Sequence, residues 1–303
     1  MSLPAKLARL AFRHLFKSSG GAKPVLTKLR RSAQRLAWWV PRPPRTTTST
    51  SIDAGGVAAV RVTTPRSRAD HHVLYLHGGG YIYGTPELYR DLTWRIADTA
   101  GATVLVADYR LAPEHPFPAA LDDAVSAYRW LLSKGADPRR TAIVGDSAGG
   151  GLTLATLLRL RDEGDALPAA AAALSPWADL TLTNESIRLF ALTDPMLDTA
   201  EARQYAAWYL GGTDPRHPHA SPVFGDAAGL PPCLLQASDD EMLRDDAVAM
   251  AERLRTAGCA VELELWPGMP HVWHMLARVV PEARQAIDGI GVFLQKNWAQ
   301  ART

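Results

Sequence analysis

Apolar positions along the chain follow two alternating rhythms. Short apolar or β-branched runs at Val57 to Val62, Val73 to Leu76, Thr103 to Ala107, Thr141 to Val144, Ala170 to Leu174, Cys233 to Ala237 and Val261 to Trp266 read as strands. Between them, Leu88 to Ala100, Leu121 to Ser133, Gly149 to Leu160, Met242 to Thr256 and Glu282 to Trp298 read as helices. Strands and helices in alternation predict an α/β fold, a mainly parallel sheet with helices on both faces. Such a sheet binds ligands beyond the carboxyl ends of its strands.

Two stretches stand outside this rhythm. Near the start, Leu3, Leu7, Leu10 and Leu15 approximate one helical face, and Leu26, Leu29, Ala33, Leu36 and Val40 another. They predict two amphipathic helices separated by Ser18 to Gly21. Pro41, Pro43 and Pro44, then the run Thr46 to Ser51, predict an extended linker, which divides the chain into a segment 1–50 and a body 51–303. Later, Asn184 to Gly212 is longer than a simple connection needs and holds its own helical pattern from Thr199 to Leu210. Residues 183–212 are therefore expected to be an insertion over the site, forming a helical cap with the N-terminal helices. Phe190, Trp208 and Tyr209 within it either line a pocket or simply pack.

Composition changes this picture little. With 303 residues, 47% hydrophobic and 21% charged, and no apolar run long enough to span a bilayer, the chain reads as an ordinary globular enzyme-sized protein. Cys233 and Cys259 lack metal-ligand spacing and are expected to be buried free thiols, which favours a reducing compartment. Charges interrupt every N-terminal apolar stretch before a secretory signal forms, so a cytoplasmic location is expected.

Charge, by contrast, is unevenly spread. Met1 to Ile52 holds eleven Lys or Arg and no Asp or Glu, while the whole chain is only +2. The rest is therefore strongly acidic, and the basic segment is expected first to pack on it. A weak membrane-surface contact ranks second, and no nucleic-acid partner is expected.

The candidate chemistry centres on Gly145-Asp146-Ser147-Ala148-Gly149. A strand precedes it and a helix follows, so Ser147 sits on a sharp turn that points its hydroxyl out of the sheet. A serine needs a base, an acid to orient the base, and donors for the oxyanion. In this strand-turn-helix setting the base comes last in the chain. His271, beside Pro270 in the loop after the last predicted strand, is the candidate base; His274 reads as entering a helix, and His217 and His219 as surface or structural. The acid is expected after Cys233 to Ala237, where composition does not choose between Asp240 and Glu241. His77-Gly78-Gly79-Gly80 supplies bare backbone for an oxyanion hole, with Ala148 giving the amide after the serine.

Taken together, His77 to Gly80, Gly145 to Gly150 and the run Asp108 to Ala120 resemble the hormone-sensitive-lipase-like esterases, bacterial family IV. The resemblance implies an α/β-hydrolase fold with a helical cap, and a serine carboxylesterase acting on short to medium acyl esters with no metal or cofactor. It assigns the oxyanion amides to Gly79, Gly80 and Ala148. Its acid motif, laid on Glu241, Leu243 and Asp245, favours Glu241 over Asp240, a departure from the family's usual Asp. It also suggests a homodimer. Amidase, lactonase or acyltransferase chemistry on the same machinery, or a non-catalytic small-molecule binder, are the alternatives.

Overall fold

A computed structural model describes residues 1–16 and 25–300; the Ser18 to Gly21 break falls outside them. Eight strands form one sheet: β1 (Thr48–Asp53), β2 (Ala58–Thr63), β3 (Arg68–Leu76), β4 (Ala102–Ala107), β5 (Thr141–Asp146), β6 (Ala170–Leu174), β7 (Cys233–Ser238) and β8 (Val261–Trp266). Their spatial order is β1-β2-β4-β3-β5-β6-β7-β8. The first two pairings, β1 with β2 and β2 with β4, are antiparallel, and all others are parallel.

Side chains of the central strands alternate between two cores, as a period of two requires. Leu74, Leu76, Leu105, Ile143, Ala171 and Ala173 face one cluster, with α4 (Ala119–Ser133), α5 (Ala148–Asp162) and α8 (Arg244–Thr256). Val73, Tyr75, Val104, Val106, Ala142, Val144, Ala170 and Ala172 face the other, with α3 (Arg90–Ala100) and α9 (Pro281–Gln300). Every residue of β5 and β6 is buried. This double coverage explains why those strands read as continuous apolar runs rather than as alternating ones.

Element bounds differ from expectation by a few residues; the helix expected from Met242, for instance, begins at Arg244. The linker expectation is corrected from Thr48 onward. That polar run is strand β1, paired residue for residue with β2 from Thr48 to Asp53. Five of its six residues are exposed, so no buried face marked it in the sequence.

The insertion between β6 and β7 carries α6 (Glu185–Phe190), which the sequence reading did not separate, and α7 (Thr199–Leu210). The Asp198 carboxylate caps α7 by accepting from the Ala200 and Glu201 amides. Helices α1 (Leu3–Phe16) and α2 (Leu26–Trp39) precede the sheet. On α2 the expected stripe faces inward at Leu26, Leu29, Ala33 and Val40, but Leu36 points out beside Trp38 and Trp39. On α1 the expected stripe is turned to solvent: Leu3, Leu7 and Leu10 are 68%, 58% and 55% exposed, while Ala5 is fully buried. The small Ala5 and Ala8 let this helix approach the body closely, and Arg9 shares that inward side.

Candidate active site

Ser147 stands between the last residue of β5 and the first of α5, with φ 53° and ψ −121°. A positive φ is unusual for a residue with a Cβ and is held here by its surroundings. Its amide donates to the Leu174 carbonyl (2.8 Å), and its carbonyl accepts from the Gly151 (3.0 Å) and Trp177 (2.9 Å) amides. The turn closes only because its flanks lack side chains. A Cβ on Gly145 would lie 2.2 Å from the Gly149 carbonyl oxygen, and one on Gly149 would lie 2.0 Å from that of Leu76.

His271 lies in the turn after β8, with its ring buried. Its Nε2 is 2.9 Å from Ser147 Oγ and its Nδ1 is 2.5 Å from Glu241 Oε2. Glu241, in the turn after β7, is buried too, and its other oxygen accepts from the Ser238 amide (2.7 Å) and the Ser175 hydroxyl (2.8 Å). Ser175 Oγ in turn accepts from the Val272 amide at 3.3 Å, so one hydroxyl braces the acid's carboxylate and the backbone next to the base. Asp240 points elsewhere: its carboxylate takes Arg9 at 2.7 Å and the Ser238 hydroxyl at 2.9 Å. Of the two candidate acids, Glu241 is thus the one brought to His271.

Burial alone would lower the pKa of His271, but the charge and hydrogen bond of Glu241, with Asp194 and Asp146 behind, hold it above the ordinary histidine value. The neighbouring His274 is bound through Nε2 to Gln236 Oε1 at 2.8 Å, and burial pushes its pKa down to about 3. It stays neutral and takes no part in the chain of contacts to Ser147. His219 pairs with Asp162 at 2.8 Å, and the His217 ring lies tilted against Phe117, both away from that chain.

The glycine loop after β3 is docked onto the same turn. Asp146 Oδ1 accepts from the Gly78 amide (2.9 Å) and the Tyr75 hydroxyl (2.6 Å). A Cβ on Gly78 would lie 2.3 Å from Asp146 Oδ2. Gly79 and Gly80 both have positive φ, +111° and +62°, and among the described residues nothing accepts from their amides or from that of Ala148. His77 is sealed beneath, stacked on Tyr109 (4.3 Å) and Tyr89 (5.5 Å), with its pKa lowered by burial to about 4.

A sequence profile described as the alpha/beta hydrolase fold matches residues 73–275. An acetyl-hydrolase of Streptomyces hygroscopicus is 50% identical over 231 residues, covering 76% of this chain and 77% of the relative. The crystal structure of an esterase from the bacterial hormone-sensitive lipase family superposes with a TM-score of 0.93 at 42% identity, over 98% of this chain and 99% of its own. The chain belongs to this family of α/β-hydrolases. An esterase/lipase structure from an uncultured bacterium is comparably similar, with 39% identity and a TM-score of 0.94 over 99% of this chain and 100% of that one.

In this hormone-sensitive-lipase-family chain, other side chains at the site gave no clear sequence signal. Tyr205 of α7 packs on the glycine loop, where a Cβ on Gly80 would lie 2.8 Å from its ring. Tyr209, expected either to line a pocket or to pack, is core: it stacks on Tyr81 at 3.7 Å and is 1% exposed. Trp208 stacks on Tyr205, and Phe190 lies under the Arg244 guanidinium. Ser175, Ser238 and Asp194 were also missed, since single small polar residues in loops carry no periodic signal. A cavity of about 400 Å³ opens between Arg30, Ala33 and Gln34 of α2 and the segment Tyr83 to Leu88, with Leu111, Glu114 and His115 completing its wall. Neither Ser147 nor His271 lines it.

Proposed function

We propose that this protein is a serine carboxylesterase hydrolysing esters of short to medium acyl chains. The observation that carries the reading is the unbroken line from Ser147 Oγ through His271 (2.9 Å) to Glu241 (2.5 Å), three side chains from the ends of three different strands. Relatives named acetyl-hydrolase and esterase support the same chemistry.

In this mechanism Ser147 Oγ attacks the ester carbonyl carbon while His271 Nε2 accepts its proton. Glu241, held by Ser238 and Ser175, fixes the imidazole with Nδ1–H toward itself and stabilises the imidazolium. The oxygen that gains charge is received by the amides of Gly79, Gly80 and Ala148. Collapse breaks the C–O bond to the alcohol, which leaves with the proton from His271. Water then attacks the acyl-Ser147 carbonyl, losing its proton to His271, and release of the acid restores the hydroxyl. Helices α1 and α2 with residues 183–212 act as a cap that selects the ester, which the contact of Tyr205 with Gly80 supports.

The test is the initial rate against p-nitrophenyl esters from acetate to palmitate. Turnover is expected to be fastest on the short chains, and Ser147→Ala should lower it by about 10⁴-fold or more with an unchanged far-UV spectrum. Equal turnover in Ser147→Ala would overturn the assignment.

A further inference from the structure

Strands β7 and β8 stay in register as far as Ser238 opposite Trp266, and there the ladder ends. Glu241 and His271 both lie beyond that point, on loops that diverge after the Asp239 amide bonds the Trp266 carbonyl. What crosses between those loops is therefore decisive for catalysis, because a proton-transfer pair tolerates displacement of only about 0.5 Å.

Two contacts run directly between them, the Asp239 amide to the Trp266 carbonyl (3.1 Å) and the Gly268 amide to Asp239 Oδ1 (2.9 Å), and one guanidinium ties them to a third segment. Arg9 Nη1 donates to Asp240 Oδ1 (2.9 Å) and to the Gly268 carbonyl (3.2 Å) and lies 2.7 Å from Asp240 Oδ2 as an ion pair, while Nη2 reaches the Thr193 carbonyl (3.4 Å). Asp240 directly precedes Glu241, and Gly268 stands three residues before His271. Thr193 directly precedes Asp194, whose carboxylate accepts from the Met242 amide at 2.9 Å, immediately after Glu241. The acid is thereby held on both sides, from Arg9 through Asp240 and from the insertion through Asp194. Arg9 itself is seated because α1 is anchored, Ser2 donating through its amide and hydroxyl to Glu282 (2.5 and 2.8 Å) and Ala5 lying fully buried. The pair is only partly exposed, 22% for Arg9 and 30% for Asp240, so solvent screens it less than an open surface pair.

We propose that Arg9 is a positioning residue for the esterase reaction: from α1 it clamps the Glu241 loop, the His271 loop and the insertion into their working arrangement. The inference rests on the esterase reading above. It also gives Asp240 a role, as the guanidinium's anchor rather than the histidine's partner. A planar fork of five donors suits three acceptors on three segments, which a lysine's compact ammonium does not.

The experiment uses the full-length chain with p-nitrophenyl butyrate, comparing the parent with Arg9→Gln, Arg9→Lys, Asp240→Asn and the double variant Arg9→Gln/Asp240→Asn. Expected are a kcat lowered about tenfold in Arg9→Gln, a smaller loss in Arg9→Lys, a KM within about twofold of the parent, and a double variant no worse than the poorer single one. The thermal midpoint of Arg9→Gln should stay within about 3 °C of the parent, which separates positioning from plain stability. The proposal is overturned if Arg9→Gln keeps the parent's kcat, if only KM moves, if the rate falls merely in step with unfolding, or if the two losses multiply. A parent that turns over no ester sinks the esterase reading and the clamp with it. An active parent with an indifferent Arg9→Gln sinks the clamp alone.

Discussion

A base must be neutral to accept a proton, so in the proposed mechanism the pKa of His271 sets the acid limb of activity. Glu241 holds that pKa above the ordinary histidine value of about 6.5 despite burial. Activity is therefore expected to rise with pH through a midpoint above about 6.5, as measured by kcat/KM on a short-chain ester. Glu241→Gln removes the charge that raises the pKa, so the midpoint should move down while the rate at pH 8 falls about 10²- to 10⁴-fold. A midpoint that stays put would show that another carboxylate tunes the base. Asp240→Asn is expected to cost under about tenfold and leave the midpoint near the parent's. At this scale the pairing of Ser147 with His271 was legible because glycine and proline mark the backbone turns that carry them. Glu241 was not legible from the residues alone: five carboxylates crowd Asp239 to Asp246, and what separates them is the direction each side chain takes after β7. Asp240 turns to Arg9 on a helix more than two hundred residues away in sequence, a partner no local pattern reveals.

Among the elements, the β5–α5 turn and the glycine loop after β3 are interlocked by the Asp146 carboxylate on Gly78 and by close backbone contact at Gly149. Gly149→Ala forces a Cβ to 2.0 Å from the Leu76 carbonyl and 2.5 Å from that of His77. Because the obstacle is main chain that cannot rotate away, destabilisation should reach about 3 kcal/mol or more, the upper end for overpacking. Gly164→Ala is the contrast, since nothing lies within 4 Å of its added methyl; only its φ of +76° resists, and a loss near 1 kcal/mol is expected. Urea midpoints of the two variants check both values; equal losses would refute the interlock. Elements with a buried face announced themselves in the sequence. β1 did not, being polar on both sides, and α6 did not, being six residues long. α1 announced a helix but the wrong face, because Ala5 and Ala8 dock it while its larger leucines stay outside.

The molecule as a whole follows from the alternation of strand and helix, which a single pass along the chain revealed together with the end of the sheet where the candidate site lies. Its charge asymmetry also finds an outlet: Arg9 pairs with Asp240, and Arg30 with Glu114 while donating to the Ile82 and Ala112 carbonyls. Helix α1, whose leucines face water, thus leans on a partly exposed ionic contact, which salt weakens. Raising NaCl from about 0.05 to 1 M should lower kcat severalfold in the parent and much less in Arg9→Gln. Equal responses would show that salt acts elsewhere.

The leucine row on α1 that faces water has a further consequence. A helix with its larger apolar side chains outside gains little by staying docked, so its release should require far less free energy than opening the sheet. In a urea titration, ester turnover is then expected to vanish at concentrations where far-UV circular dichroism still reports an intact core. The protein would fail first as a catalyst and only later as a fold.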